Sequence, residues 1–411
     1  MKTKKLYLFI ISLIFFGSCD LQSTDSQNEI EVTEKAARLI EAENDFGFEM
    51  FRHIVDAEKD GGNIMVSPLS VSLALAMTYN GANSETKTAM EKTLKVYGLT
   101  PADINTSYFD LVNALKSLDP KVLLEIVNAI YYRKDFMVEN NFINTNKSYY
   151  NAEVSALDFS SPNALKTINS WVADKTRNKI ETILDEIKPS HVMFLLNAIY
   201  FKGIWSKEFN KKGTQMMPFS LTNGSSIQTE NMQRLDTLPY FSNSLFSAIQ
   251  LSYGKENYNM YVFLPEPGKN LQDIAEKLNS DNWETWMTGF KTTQNVDIKF
   301  PKFKYEYEIK LNDVLTEMGM GMAFTGAADF TGINREGGLY IDYVKHKTFI
   351  EVNEEGTEAA AVTIVAIDKT SAGGPQKVAF YVNRPFFYAI TEKSTGAILF
   401  MGTVTNPSKS K

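Results

Sequence analysis

Between Gly356 and Ala372 the chain carries no proline and no further glycine, and its residues change character in one direction. Small side chains come first (Thr357, Ala359, Ala360, Ala361), and β-branched ones follow (Val362, Thr363, Ile364, Val365, Ile367). Drawn as an extended strand, one face carries Thr357, Ala359, Ala361, Thr363, Val365 and Ile367, and the other Glu358, Ala360, Val362, Ile364 and Ala366. Beyond Glu358 both faces are nearly apolar, the pattern of a strand inside a sheet rather than at its edge. Yet the stretch after it, Asp368 to Pro375, has the composition of an exposed tip, and an acidic pair, Glu354-Glu355, precedes it. The residues alone leave two readings open. One is a permanent interior strand ending in a hairpin loop. The other is a conditional strand, outside the sheet at first and entering it later, with Gly356 as the hinge.

The rest of the chain reads as one large α+β domain. No fixed-period repeat and no long Pro/Gly/Ser linker divides it after residue 35. Helical spacing predicts helices over 36–57, from Ser67-Pro68 onward and over 164–183; Pro68 fits a first-turn position, where its missing N–H costs nothing. Strands are predicted over 192–201, over 248–251 and 258–264 about a turn at 254–257, and over 296–300 and 380–388.

Chemistry-bearing motifs are scarce. There is no G-x-S-x-G elbow, phosphate-binding loop, H-E-x-x-H or G-x-G-x-x-G. The three histidines are scattered: His53 on a helix, His191 at a turn after Pro189 and expected to be solvated, and His346. With one cysteine, Cys19, they offer no structural zinc site and no internal disulfide. No cofactor is expected. A net charge of −7 argues against general nucleic-acid binding.

The N-terminus has its own logic. Lys2, Lys4 and Lys5 precede an apolar run, Leu6 to Phe16, of signal-peptide size and too short to span a bilayer. Phe16-Gly17-Ser18-Cys19 resembles a bacterial lipobox, in which the cysteine is acylated and becomes the mature N-terminus. The expected organisation is a signal peptide over 1–18, a lipidated Cys19 with a polar tether over 19–34, and a folded domain over 35–407.

Several motifs, in order, resemble the serpin family. The segment Glu354-Glu355-Gly356-Thr357-Glu358-Ala359-Ala360-Ala361 matches its hinge pattern. Asn63 to Ser70 resembles its N-x-x-x-S-P-x-S motif. Leu196 to Trp205 is similar to its strand signature. Asn383-Arg384-Pro385-Phe386 and Phe400-Met401-Gly402 match its C-terminal strands. The resemblance implies about nine helices on three β-sheets with an exposed reactive-centre loop. It also implies a protein that is not an enzyme but a suicide substrate, trapping a serine protease, or a cysteine protease, as a covalent acyl-enzyme when the cut loop enters the main sheet. The partner supplies the nucleophile. A non-inhibitory serpin acting as a binding or carrier module is the alternative.

Carried over position by position, Glu354, Gly356, Thr357, Glu358, Ala359, Ala360 and Ala361 form the hinge. Ser67, Ser70, Asn197 and His346 form the shutter beneath the central strands, and Trp205 marks the breach where insertion begins. Asn169 and Thr176 match positions on the helix that crosses the sheet. Counted from Glu354, the family spacing puts the scissile bond at Thr370–Ser371, which suits elastase-like proteases; counted back from Asn383-Arg384-Pro385-Phe386 it points near Gly374; Lys369–Thr370, one residue before the first, offers a cation to a trypsin-like pocket and is the expected bond. The expected protein is a monomer tethered to the bacterial cell envelope, periplasmic or at the cell surface.

Overall fold

The computed structural model describes residues 29–58, 61–357 and 377–410. Nine α-helices and fifteen strands lie among them. The helices begin where local chemistry provides a cap. The Thr33 hydroxyl accepts from the Ala36 N–H ahead of helix Glu34–Ala57, and Ser67 and Ser161 precede helices Pro68–Tyr79 and Pro162–Lys175, each with proline in the first turn. Helix Pro68–Tyr79 is buried along almost its whole length, at the centre of the main core.

The strands form two sheets rather than the three expected. Strand Ser226–Ser242 is long enough, at 17 residues, to pair with Lys291–Pro301 over most of its length and with Phe246–Tyr253 at its end. Two small sheets are thereby hydrogen-bonded into one of nine strands. The second sheet has six, in the order Phe303–Lys310, Lys345–Asn353, Gly356–Thr357, Met193–Ile204, Val122–Arg133, Glu153–Leu157. The hairpin predicted about residues 254–257 is present: Phe246–Tyr253 pairs antiparallel with Tyr258–Pro265. The run predicted as one strand over 380–388 is two. Val378–Tyr381 pairs parallel with Lys291–Pro301, and Phe386–Glu392 sits between Tyr258–Pro265 and Ile398–Val404. Pro385, which has no N–H for a ladder, lies at the break.

The two faces of the six-stranded sheet bury different cores. Ile199, Phe201, Ile350 and Val352 face the main core. Phe194, Leu196 and Ala198 face a second apolar cluster on the opposite face, built with Ile168, Trp171 and Val172 of helix Pro162–Lys175. The helical pattern predicted to 183 stops at Lys175, because Arg177 and Asn178 turn left-handed at φ 52° and 59°. Ile180, Ile183 and Leu184 still reach the second core, but from an irregular segment over 176–192 that crosses the sheet. His191, expected in solvent, is buried there: its Nδ1 accepts from the Lys188 N–H at 3.1 Å and its Nε2 bonds Asp342 at 3.0 Å.

Asn169 ties this segment to the helix. Its Oδ1 accepts from the N–H groups of Ile183 and Leu184 at 2.9 Å, and its Nδ2 donates to the Leu184 carbonyl at 2.8 Å. Thr176 accepts from the Ile180 N–H at 3.1 Å. Replacing Asn169 with Ala removes three hydrogen bonds and is expected to lower stability by roughly 2–4 kcal/mol. A urea midpoint unchanged at constant m-value would contradict this assignment.

Candidate functional site

The site lies in the middle of the six-stranded sheet. Strand Lys345–Asn353 ends, and the two residues Glu354-Glu355 reverse the chain into Gly356–Thr357. This short strand lies antiparallel between its neighbours, Asn353↔Gly356 and Val352↔Thr357 on one side and Ile204↔Gly356 and Gly203↔Thr357 on the other. Further along, among the described residues, no ladder joins Met193–Ile204 to Lys345–Asn353. Each has a ladder partner on its far side, Val122–Arg133 for the first and Phe303–Lys310 for the second.

The hinge residues are seated by specific contacts. Gly356 lies so close to the neighbouring strand that a Cβ there would sit 2.0 Å from the Gly203 carbonyl oxygen, and its φ of 152° further disfavours a side chain. Gly203 is equally constrained, since its own Cβ would come 2.7 Å from the Tyr253 ring. The Thr357 hydroxyl is buried and shares a hydrogen bond of 2.6 Å with the Tyr253 phenol.

Trp205 stacks on Tyr253 at 4.4 Å between centroids and donates from Nε1 to the Asn353 carbonyl at 3.0 Å. The N–H groups of Trp205 and Phe209 donate to the carbonyls of Glu355 and Glu354, both at 2.8 Å. Burial disfavours the Glu354 carboxylate. The Thr214 hydroxyl, donating at 2.7 Å, and Lys302, at 3.5 Å, nonetheless hold it below its usual range. Glu355 pairs with Lys211 through Oε1, while its Oε2 is buried without a partner.

Beneath these two strands lies the first turn of helix Pro68–Tyr79. The Ser67 N–H donates to His346 Nε2 at 3.0 Å, and the Ser70 hydroxyl donates to Asn197 Oδ1 at 2.5 Å. One turn of helix thus holds both strands. Asn197 Nδ2 continues to Asn128 Oδ1 at 2.7 Å, and Asn128 Nδ2 to the Tyr150 carbonyl at 2.7 Å. Burial lowers the His346 pKa from 6.5 to about 4, so the ring is neutral near pH 7 and Nε2 has a lone pair for Ser67.

Ser67, Ser70, Asn197 and His346, grouped by the resemblance, are therefore together, with Trp205 beside Gly356–Thr357 between the same two strands. Glu354, Gly356 and Thr357 are beside it. Glu358, Ala359, Ala360, Ala361, Lys369, Thr370, Ser371 and Cys19 lie outside the described residues. The sequence reading missed Asn128, Tyr253 and Thr214. Asn128 had a signal: it interrupts the inward stripe Leu124, Ile126, Ile130 of its strand.

The sequence matches the family model described as Serpin (serine protease inhibitor) over residues 41–407. The chain belongs to the serpin family. Its structure is similar to that of a thermophilic serpin, tengpin, in the native state, with a TM-score of 0.81 and 35% identity over 92% of this chain and 96% of that one. Human thyroxine-binding globulin matches with a TM-score of 0.82 and 28% identity, covering 91% and 100% of the two chains. The mouse protein-Z dependent protease inhibitor matches at 0.80 and 27%, covering 91% and 98%. The family therefore contains a protease inhibitor and a thyroxine-binding protein on one fold.

The geometry at His346 fixes a pH response for this serpin. The folded-state pKa is depressed, so between about 6.5 and about 4 the unfolded chain takes up a proton that the folded chain refuses. Stability is therefore fully present above that window and falls as pH drops through it, on the order of 3 kcal/mol in total. Below the usual carboxylate range the ionic contribution of Glu354 is lost as well. Urea midpoints from pH 7 to pH 4 are expected to fall, and to fall less steeply in His346→Gln, whose amide oxygen accepts from Ser67 without titrating. An equal slope in both proteins would remove His346 from this account.

Proposed function

We propose that this serpin inhibits serine proteases, of trypsin-like or elastase-like specificity and with cysteine proteases as a second class, by inserting its cut loop into the six-stranded sheet. The observation that supports this reading is the seating of Gly356 and Thr357, paired between Lys345–Asn353 and Met193–Ile204, two strands that no ladder joins among the described residues. Continuing the same register sets each later residue between known neighbours. Ala359 falls between Ile350 and Phe201, Ala361 between Thr348 and Ile199, and Thr363 between His346 and Asn197. The polar Thr357 and Thr363 thus take the inward positions beside polar side chains, Tyr253 for the first and the His346–Asn197 pair for the second. Val362 and Ile364 fall on the other face, beside Ala198 and Leu196 of the second core, where each side chain contributes about 1.5–3 kcal/mol on burial. Ladder bonds and chain ordering nearly cancel at about 0.5–1.5 and 1–2 kcal/mol per residue, so this burial decides the direction.

Inhibition follows from the timing. The protease attacks at Lys369–Thr370 or Thr370–Ser371, forms an acyl-enzyme and is carried away with the inserting strand before water completes hydrolysis. On this reading the serpin is a monomer that does no bond-making of its own. Export and acylation at Cys19 hold it in the cell envelope, where its targets come from outside the cell. That proposal rests on the sequence of the N-terminus, and mass spectrometry of the mature protein is expected to find acyl chains on Cys19; a free thiol would remove the anchor.

Mixing the protein with trypsin-like and elastase-like proteases is expected to give a covalent complex that survives denaturing electrophoresis. Cleavage of the loop without any such complex would favour a binding or carrier module instead. Thr357→Arg places a charge where Val352, Gly203 and Tyr253 leave only buried space. It is expected to turn the inhibitor into a substrate, with cleavage retained and complex lost; full inhibition by this variant would contradict insertion.

A further inference from the structure

Strand Phe303–Lys310 forms one edge of the six-stranded sheet and pairs on one side only, with Lys345–Asn353. The Glu306 N–H points the other way and donates to the Ser410 carbonyl at 3.2 Å. Outward groups alternate in an antiparallel ladder, so Lys304, Glu308 and Lys310 turn their N–H and C=O groups to that same side. Among the described residues, the Glu306 rung is the one with a backbone partner there. Charged side chains commonly protect such an edge. Here the charges are compensated within the sheet: Lys304 pairs with Glu351 at 3.2 Å, Glu306 with Lys347 at 3.4 Å, and Glu308 with Lys345 at 2.8 Å. What stands against the edge is the C-terminal turn over 405–410, and one side chain holds it. Asn63 Oδ1 accepts from the N–H groups of Thr405 and Asn406 at 2.9 and 3.0 Å. Its Nδ2 donates to the carbonyls of Asn406 and Lys409 at 2.9 and 3.3 Å. Residues 408–410 are exposed, and a cavity of about 390 Å³, lined in part by Asn63, Tyr305, Tyr307 and Lys409, opens beside them. A chain segment with so little packing ordinarily frays; this one is clamped and set on a sheet edge.

We propose that the turn over 405–410, clamped by Asn63, keeps strand Phe303–Lys310 from pairing with the same strand of a second copy of this chain. The partner follows from the charges of the strand itself. Two copies set antiparallel about a two-fold axis place Lys304 of each opposite Glu306 of the other, so a single register makes two opposite-charge pairs. Both residues carry outward rungs, so the same register also makes backbone bonds. A second strand must come within about 4.8 Å along the edge. The Ser410 carbonyl already occupies that lane at Glu306, in the middle of the register. The turn and the second copy therefore exclude each other, and the clamp favours the monomer. Neither a protease nor insertion of the loop enters this argument, so it stands apart from the inhibitory reading.

The test is self-association of the full-length protein and its variants, read by light scattering on a sizing column over a concentration series. Asn63→Asp keeps the oxygen that accepts from Thr405 and Asn406 and loses both donated bonds. Two bonds at a factor of about 2 to 13 each predict a dimer association constant raised about 5-fold or more. A second variant, stopped after Pro407, removes Ser410 outright and is expected to dimerise at least as strongly. In either background Glu306→Pro deletes the outward N–H and is expected to restore the monomer. Lys304→Glu, which sets like charges opposite each other twice and leaves the backbone unchanged, is expected to weaken the dimer. Monomers in both released variants across the whole series would overturn the proposal. So would an unmodified protein that dimerises as strongly as they do. Association that persists with both Glu306→Pro and Lys304→Glu would place the contact on another surface and overturn it as well.

Discussion

One turn of helix, Ser67 to Ser70, ties together two strands that no described ladder joins. It lies beneath them and reaches both, with a backbone N–H to His346 on one and a hydroxyl to Asn197 on the other. The two bonds are of the kind that hold only while both partners stay put. A neutral imidazole accepts from one N–H in one direction, and a hydroxyl is buried with a single amide oxygen. If the strands separate, the helix keeps at most one of them without rearranging. Cooperative opening, rather than a gradual widening, follows from that arrangement.

The two faces of the sheet divide the remaining work. Towards the main core, Ile350 and Val352 of one strand and Phe201 and Ile199 of the other are all buried. Towards the outer face, helix Pro162–Lys175 and the segment after it close a smaller core over Phe194, Leu196 and Ala198. On the proposed insertion, the sequence between Gly356 and Ile367 meets both faces, with small residues at its beginning and bulkier ones later.

Much of this was legible in the residues. Gly356 stood out as the glycine that opens the strand-like run, and the structure puts the Gly203 carbonyl where a Cβ on it would be. Helical spacing placed the first helix, and Pro68 placed the start of the second. The failures share a cause. The helical period of apolar residues runs on through Ile180 and Ile183, but the helix ends earlier because Arg177 and Asn178 adopt left-handed conformations that carry no glycine to announce them. His191 follows a proline in a turn and looks solvated, yet tertiary contacts with Phe194 and Tyr343 bury it. Asn128 and Tyr253 matter only through partners distant in sequence. The merging of two small sheets depends on the continuity of Ser226–Ser242, which no local pattern signals.

The two-residue turn at Glu354-Glu355 has a kinetic consequence. In any zipper the slow step is the first contact, which fixes several torsions and closes a loop before any ladder repays it. Here the reversal is complete and two rungs are made at rest. On the proposed insertion, what remains after the loop is cut is propagation alone, in one direction and in fixed register, so a chain with its nucleus already formed responds to the loss of a distant tether at the speed of elongation.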